Sequence, residues 1–243
     1  MIGAGVFSAF APAASAAGPW LLAALALAAV VAYCNATSSA RLAALYPESG
    51  GTYVYGRRRL GPFWGYLAGW GFTVGKTASC AAMALTFAAY AAPALARPLA
   101  IAAVVGVTVL NLYGVQRSAM VARVMVAFVL AVLAALVAAG LLGTPHAPSP
   151  VGDHLAPSGG ADVWGMLQAA GLLFFAFAGY ARIATLGEEV RDPSRTIPRA
   201  IGIALGVTLV VYALVALATL RTLGAAGLGA SEAPLADVAG ASG

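Results

Sequence analysis

The first forty residues contain no charged side chain, and the first charge in the chain is Arg41. No soluble globule can be built on such a stretch, because it needs a charged surface to stay dissolved. The shortage runs throughout: 9% of the 243 residues are charged and 62% are apolar, whereas roughly a quarter of an average soluble domain is charged. The chain is also too apolar to stay disordered. Its glycines and prolines follow no collagen repeat. Long apolar runs in lipid must be helical, since a helix satisfies its own backbone hydrogen bonds. The expected fold class is therefore an all-α polytopic membrane protein.

The blocks can be placed along the chain. A short helix runs to about Ala16, turns at Gly18-Pro19, and is followed by a helix from about Trp20 to Ala44. Further apolar blocks cover Pro62–Tyr90, Leu99–Tyr113, Ala119–Leu142, Val163–Leu186 and Ala200–Leu220. Each can cross a hydrocarbon core of about 30 Å, with Leu99–Tyr113 borrowing flanking residues. The expectation is six full spans plus a short opening piece.

Charge orients the bundle. With the first turn outside, the inner segments hold nine arginines: Arg41, Arg57, Arg58, Arg59, Arg117, Arg123, Arg191, Arg195 and Arg199. The outer segments hold two, Arg97 and Arg221. This bias marks the Arg-rich side as cytoplasmic and places a multi-pass protein in the cell membrane. It also accounts for most of the net charge of +5, so no anionic partner is needed. Nucleic-acid binding is not expected, because the arginines do not gather on a soluble face with aromatic platforms. His146 and His154 fall in an outer loop, 143–162, and are read as solvated rather than metal-bound. Cys34 and Cys80 lie inside apolar runs, so a disulfide framework is not expected.

Three places interrupt the helical pattern, and interruptions in spans are where transporters bind their cargo. Gly3-Ala4-Gly5 allows an unwound backbone whose N–H groups suit a carboxylate, or it packs closely against another helix. In Phe174-Phe175-Ala176-Phe177-Ala178-Gly179-Tyr180-Ala181-Arg182, aromatics flank a small pair at mid-span. That segment can offer carbonyls to an ammonium group, or it can face lipid. Arg182 is near enough to the inner end to snorkel. Lys76 lies about fourteen residues into its block, near mid-membrane. A charge at that depth is costly and is a functional candidate. No Asp or Glu lies inside any apolar block. Lys76 is accommodated by a water-filled cavity, by backbone carbonyls, or by losing its proton.

Taken together, these residues resemble a known family. Ile2-Gly3-Ala4-Gly5-Val6-Phe7 is similar to the unwound first-helix motif of the amino acid–polyamine–organocation (APC) permeases. Pro47-Glu48-Ser49-Gly50-Gly51-Thr52-Tyr53-Val54-Tyr55, with Gly61-Pro62, resembles the loop between their second and third helices. Phe177-Ala178-Gly179-Tyr180, then Glu188-Glu189, Pro193 and Ile197-Pro198, resembles their sixth helix and its following loop. The resemblance covers essentially the whole chain. It implies a partial LeuT-type bundle of two inverted repeats. Residues 1–142 form the first repeat (helices 1b to 5), 143–162 an external loop, and 163–243 the start of the second (helices 6 and 7 plus an external tail). The missing half-helix and helices eight to twelve imply a partial gene product or a start codon assigned too late, with a half-size transporter that dimerises as the alternative.

The resemblance also implies a substrate site. Ile2, Gly3, Ala4 and Gly5 would hold the substrate carboxylate, and Phe177, Ala178 and Gly179 its ammonium group. Phe175 and Tyr180 would wall or gate the pocket, with Gly75, Lys76 and Cys80 nearby. Several cationic amino acid carriers place a carboxylate where this chain has Ala181, so with Lys76 nearby a cationic substrate is disfavoured. Proton-coupled relatives place a lysine where this chain has Val129. If Lys76 replaces it as the titrating group, Lys76→Met uptake loses its pH dependence. The expected function is a secondary amino acid transporter working by alternating access, coupled to protons or to substrate exchange. No cofactor, metal or catalytic residue is expected, and the oligomeric state is left open. The alternatives are a polyamine or organic-cation carrier of the same fold, a non-transporting truncated fragment, and a membrane-embedded enzyme. The last would need a cluster of His, Asp or Cys at membrane depth, which the sequence lacks.

Overall fold

The structure, a computed structural model, describes residues 2–112, 115–142, 162–185, 188 and 190–241. Among these it is helical, with no strand. The opening piece is α1 (Gly5–Ser8) followed by α2 (Phe10–Ala17). Ala9 between them keeps right-handed helical angles. Gly18 then turns the chain at φ 51°, an angle that favours a residue without Cβ. Pro19 follows it, and α3 (Leu21–Leu45) crosses back.

Next come α4 (Thr52–Leu60), α5 (Pro62–Ala91), α6 (Ala96–Leu112) and α7 (Val115–Leu142). The second half holds α8 (Val163–Phe177), α9 (Tyr180–Ile183), α10 (Pro193–Ala230) and α11 (Pro234–Ala241). Helix starts carry recognisable signals. Pro62 and Pro193 occupy first turns, where a missing N–H costs nothing. The Asp162 carboxylate caps α8 by accepting from the Trp164 N–H at 3.0 Å.

Six stretches are long and apolar enough to cross a membrane: Gly5–Leu45, Pro62–Ala91, Pro93–Leu112, Arg123–Leu142, Val163–Ile183 and Pro193–Ala230. The first contains both the opening piece and α3, so the protein is a multi-pass membrane protein on the expected plan. The short fourth block gains its extra length on the N-terminal side, from a 3-10 turn at Pro93–Leu95.

The core is formed by α2, α3, α8 and α10, each of α2 and α3 packing on both α8 and α10. α3 presents a row of buried alanines (Ala24, Ala28, Ala32, Ala36 and Ala40) at every fourth residue. Such small side chains let helix backbones approach closely without help from a hydrophobic effect, which lipid does not supply. Three fully buried aromatics fill the centre: Phe10, Phe177 and Tyr212. Their rings meet at 6.1 Å (Phe10–Tyr212) and 5.1 Å (Phe177–Tyr212), within the range of favourable aromatic pairs. α5 packs mainly on α4 and α6, and leaves Leu67, Trp70, Val74, Leu85 and Phe87 exposed.

Three elements differ from the sequence reading. The segment read as loop after Gly51 contains α4, with Val54 and Tyr55 buried and Arg57, Arg58 and Arg59 in its last turn, where cations favour the helix dipole. α10 starts seven residues earlier than the block at Ala200, runs through Pro198, and is broken at Gly224 (φ 69°). α10 is followed by α11 where the sequence reading had only an external tail. The loop expected at 143–162, with His146 and His154, lies outside the described residues except for Asp162.

Candidate functional site

A cavity of about 350 Å³ opens where the start of α1 meets the α8–α9 break and the middle of α5. Gly3, Ala4 and Gly5 line one wall, Phe175, Ala176, Ala178, Gly179 and Ala181 a second, and Gly71, Phe72, Gly75, Lys76, Ser79 and Met83 the third. The volume falls within the range of small-molecule sites.

The first wall is a helix beginning. Its first backbone bonds are Val6 N–H to Gly3 C=O at 3.3 Å and Phe7 N–H to Ala4 C=O at 2.9 Å. The amides of Gly3, Ala4 and Gly5 therefore precede the helical ladder and are free to meet a ligand. Gly5 does a second job. A Cβ placed on it would lie 2.6 Å from Cα of Ala176. Of the two readings of this motif, close packing holds at Gly5.

The second wall is a break. Ala178 has ψ 0°, and the N–H groups of Ala178, Ala181 and Arg182 bond to carbonyls three residues back, at 3.2, 3.3 and 3.3 Å. The Phe177 carbonyl is not an acceptor in this set. The Ala176 carbonyl accepts instead from the Tyr212 hydroxyl at 3.0 Å. The regular ladder is thereby replaced, and the chain turns from α8 into α9.

The third wall carries the charge. Lys76 is partly buried, and its Nζ lies 5.6 Å from the centre of the Phe72 ring, a cation–π distance. Among the described residues the one ion pair joins Arg58 to Glu48 at 2.7 Å, so no described carboxylate pairs with Lys76. Arg182 is exposed and reaches the Thr185 hydroxyl at 3.4 Å.

Of the residues singled out from the sequence, Gly3, Ala4, Gly5, Lys76, Phe175, Ala178 and Gly179 share this cavity. Four do not line it. Ile2 lines a neighbouring apolar cavity of about 410 Å³, together with Phe7, Phe87, Tyr90 and Val129. The Phe177 ring is buried in the bundle core, Tyr180 is buried, and Cys80 is exposed. Among the described residues no group of His, Cys, Asp and Glu is arranged to hold a metal.

Four flanking hydrogen bonds were not foreseen. At one end of the bundle the Tyr90 hydroxyl donates to the Phe7 carbonyl at 3.2 Å and accepts from the Leu235 N–H at 3.4 Å, tying α1 to α11. At the arginine-bearing end the Tyr55 hydroxyl donates to the Ala184 carbonyl at 3.4 Å, and the Ser49 N–H donates to the Glu188 carboxylate at 3.2 Å. Burial raises the Tyr55 phenol above its ordinary value. Hydroxyls of this kind carry no sequence signature, because a tyrosine's partner is chosen by packing.

A multi-pass helical bundle with a cavity at an interrupted span has the architecture of a membrane transporter. The chain belongs to the amino acid permease family, whose model matches residues 1–241. It is 65% identical to an uncharacterized transporter of Mycobacterium tuberculosis over 98% of this chain and 53% of that protein. The inner membrane transport protein YbaT of Escherichia coli is 30% identical over 93% of this chain and 53% of its own length. The branched-chain amino acid permease BcaP of Bacillus subtilis is 27% identical over 88% and 50%. The chain thus spans about half the length of the curated relatives it matches.

Proposed function

We propose that the whole protein is a secondary permease of the plasma membrane that moves amino acids by alternating access. The observation that carries this is the cavity at which the start of α1 and the α8–α9 break face each other, in a chain of the amino acid permease family. A zwitterion needs an anion site and a cation site a few ångströms apart. The amides of Gly3, Ala4 and Gly5 suit its carboxylate. The Phe177 carbonyl, which the helical ladder leaves out, and those of Ala178 and Gly179, which each accept one three-residue bond, suit its ammonium group. Phe175 supplies an apolar wall. Relatives named for branched-chain and for serine/threonine substrates support an amino acid as cargo.

The Arg-rich segments face the cytoplasm, following the positive-inside bias. Transport needs no covalent step and draws on a proton gradient or on exchange. Lys76 disfavours a polyamine or other organic cation, because a like charge in a cavity of low dielectric repels it. The test is uptake by the whole protein in proteoliposomes, with a panel of labelled amino acids. Saturable uptake that competes with unlabelled substrate is expected. Absence of saturable uptake for every member would reject the reading.

A further inference from the structure

We infer that the cavity selects an amino acid with a carboxylate on its side chain, and that Lys76 with Ser79 receives that carboxylate. The inference rests on the permease reading above, which places the α-carboxylate at Gly3–Gly5. Of all residues lining the cavity, Lys76 alone is ionisable. It faces no carboxylate among the described residues, and the ring of Phe72 beside it offsets only part of the cost of holding a charge at membrane depth. The counter-charge missing among the described residues can come from two sources, the cargo or the remainder of the whole protein.

The rest of the α5 wall fits the first source. Gly71 and Gly75 have open space in front of them, with no atom within 4 Å of where a Cβ would stand. Room for a ligand therefore exists directly beside Lys76. Ser79 is three residues on, on the same helix face. Its hydroxyl makes no hydrogen bond among the described residues, whereas Thr73, Thr77 and Thr86 on the same helix donate to carbonyls four residues back at 3.0, 3.0 and 2.8 Å. An ammonium and an unengaged hydroxyl on one wall make a two-donor receiver for a carboxylate, and charge-assisted bonds are the strong kind. A neutral side chain leaves Lys76 uncompensated, and a cationic one is repelled.

Glutamate and glutamine differ by an oxygen against an amide nitrogen, so comparing them cancels size. With the whole protein in proteoliposomes, glutamate is expected to exceed glutamine in kcat/KM by about tenfold or more. Lys76→Met is expected to remove that preference by cutting glutamate uptake about tenfold while changing glutamine uptake less than threefold. Lys76→Arg should keep the preference, and Ser79→Ala should reduce it. Wild-type uptake of glutamine or leucine at or above that of glutamate overturns the inference and leaves the permease reading standing. So does equal loss of glutamate and glutamine uptake in a monodisperse Lys76→Met protein, which would assign Lys76 to the α-carboxylate. If Lys76→Met does not fold, the wild-type ratio with Lys76→Arg and Ser79→Ala decides. No saturable uptake of any amino acid would instead reject the permease reading itself.

Discussion

Replacing Gly5 by Ala puts a methyl group where α1 and α8 touch. The new Cβ would stand 2.6 Å from Cα and 2.7 Å from Cβ of Ala176. Non-bonded carbons settle at about 3.5–4.0 Å, so the helices must separate by roughly 0.9 Å or rotate. Neither neighbouring atom is the end of a flexible side chain, and Ala176 is further held by the Tyr212 hydroxyl at 3.0 Å. Overpacking of this kind costs about 1–3 kcal/mol. At about 2–4 °C per kcal/mol for a chain of this size, the apparent Tm of the detergent-purified protein should fall by about 2–12 °C. Gly75→Ala is the matched control. It lines the same cavity, but its added Cβ meets nothing within 4 Å. Removing the opposing methyl in Gly5→Ala/Ala176→Gly should restore only part of the loss, because the clash with Cα remains. If Gly5→Ala melts with Gly75→Ala, the close approach of α1 to α8 is not a structural constraint and the reasoning fails.

Other expectations can be checked alongside it. Tyr212→Phe leaves the buried Ala176 carbonyl without its donor, which should lower stability by about 1–3 kcal/mol, read as a Tm shift. Tyr90→Phe removes the hydroxyl shared by Phe7 and Leu235, so amide exchange at the start of α11 should quicken while the α3 core stays protected. Gly75→Val fills open space beside Lys76 and should raise KM for uptake with little change in Tm. Tyr55 lies on α4 with a phenol pKa raised by burial from 10.0. Its contribution is therefore fully present below pH 10 and is lost as pH climbs through the folded-state value. Tyr55→Phe should flatten that alkaline limb of the stability profile and leave neutral pH unaffected by titration.

The spans were legible because apolar length is a strong signal, and the breaks because Gly and charge are conspicuous inside apolar runs. α4 was not, since a nine-residue helix ending in three arginines presents no apolar block. The interruption at Gly224 was not legible either, because it falls just past the block that the sequence reading ended at Leu220, beside Arg221. Within the site, Gly3, Ala4, Gly5, Lys76, Ala178 and Gly179 stood out as irregularities. Phe177 and Tyr180 were harder to place. At about 100° per residue, Phe177 stands roughly 200° round the helix from Phe175, so only one of the two can face the cavity. The structure turns Phe177 into the core beside Tyr212. Cys80 follows Ser79 by one residue and is carried off the lining face in the same way. Residues without anomaly, such as Ser79 and Met83, gave no sign from spacing alone.

The break at Ala178–Gly179 is anchored unequally on its two sides. Just before it, Ala176 is pinned to α10 through Tyr212. Just beyond α9, Ala184 is held by Tyr55 of α4, and Glu188 by the Ser49 amide. A swing of α9 about this pivot therefore pulls first on the arginine-bearing α4, while α8 stays with the bundle. In mechanical terms the segment is a lever whose short arm is fixed in the protein interior and whose long arm is hitched to the basic membrane surface.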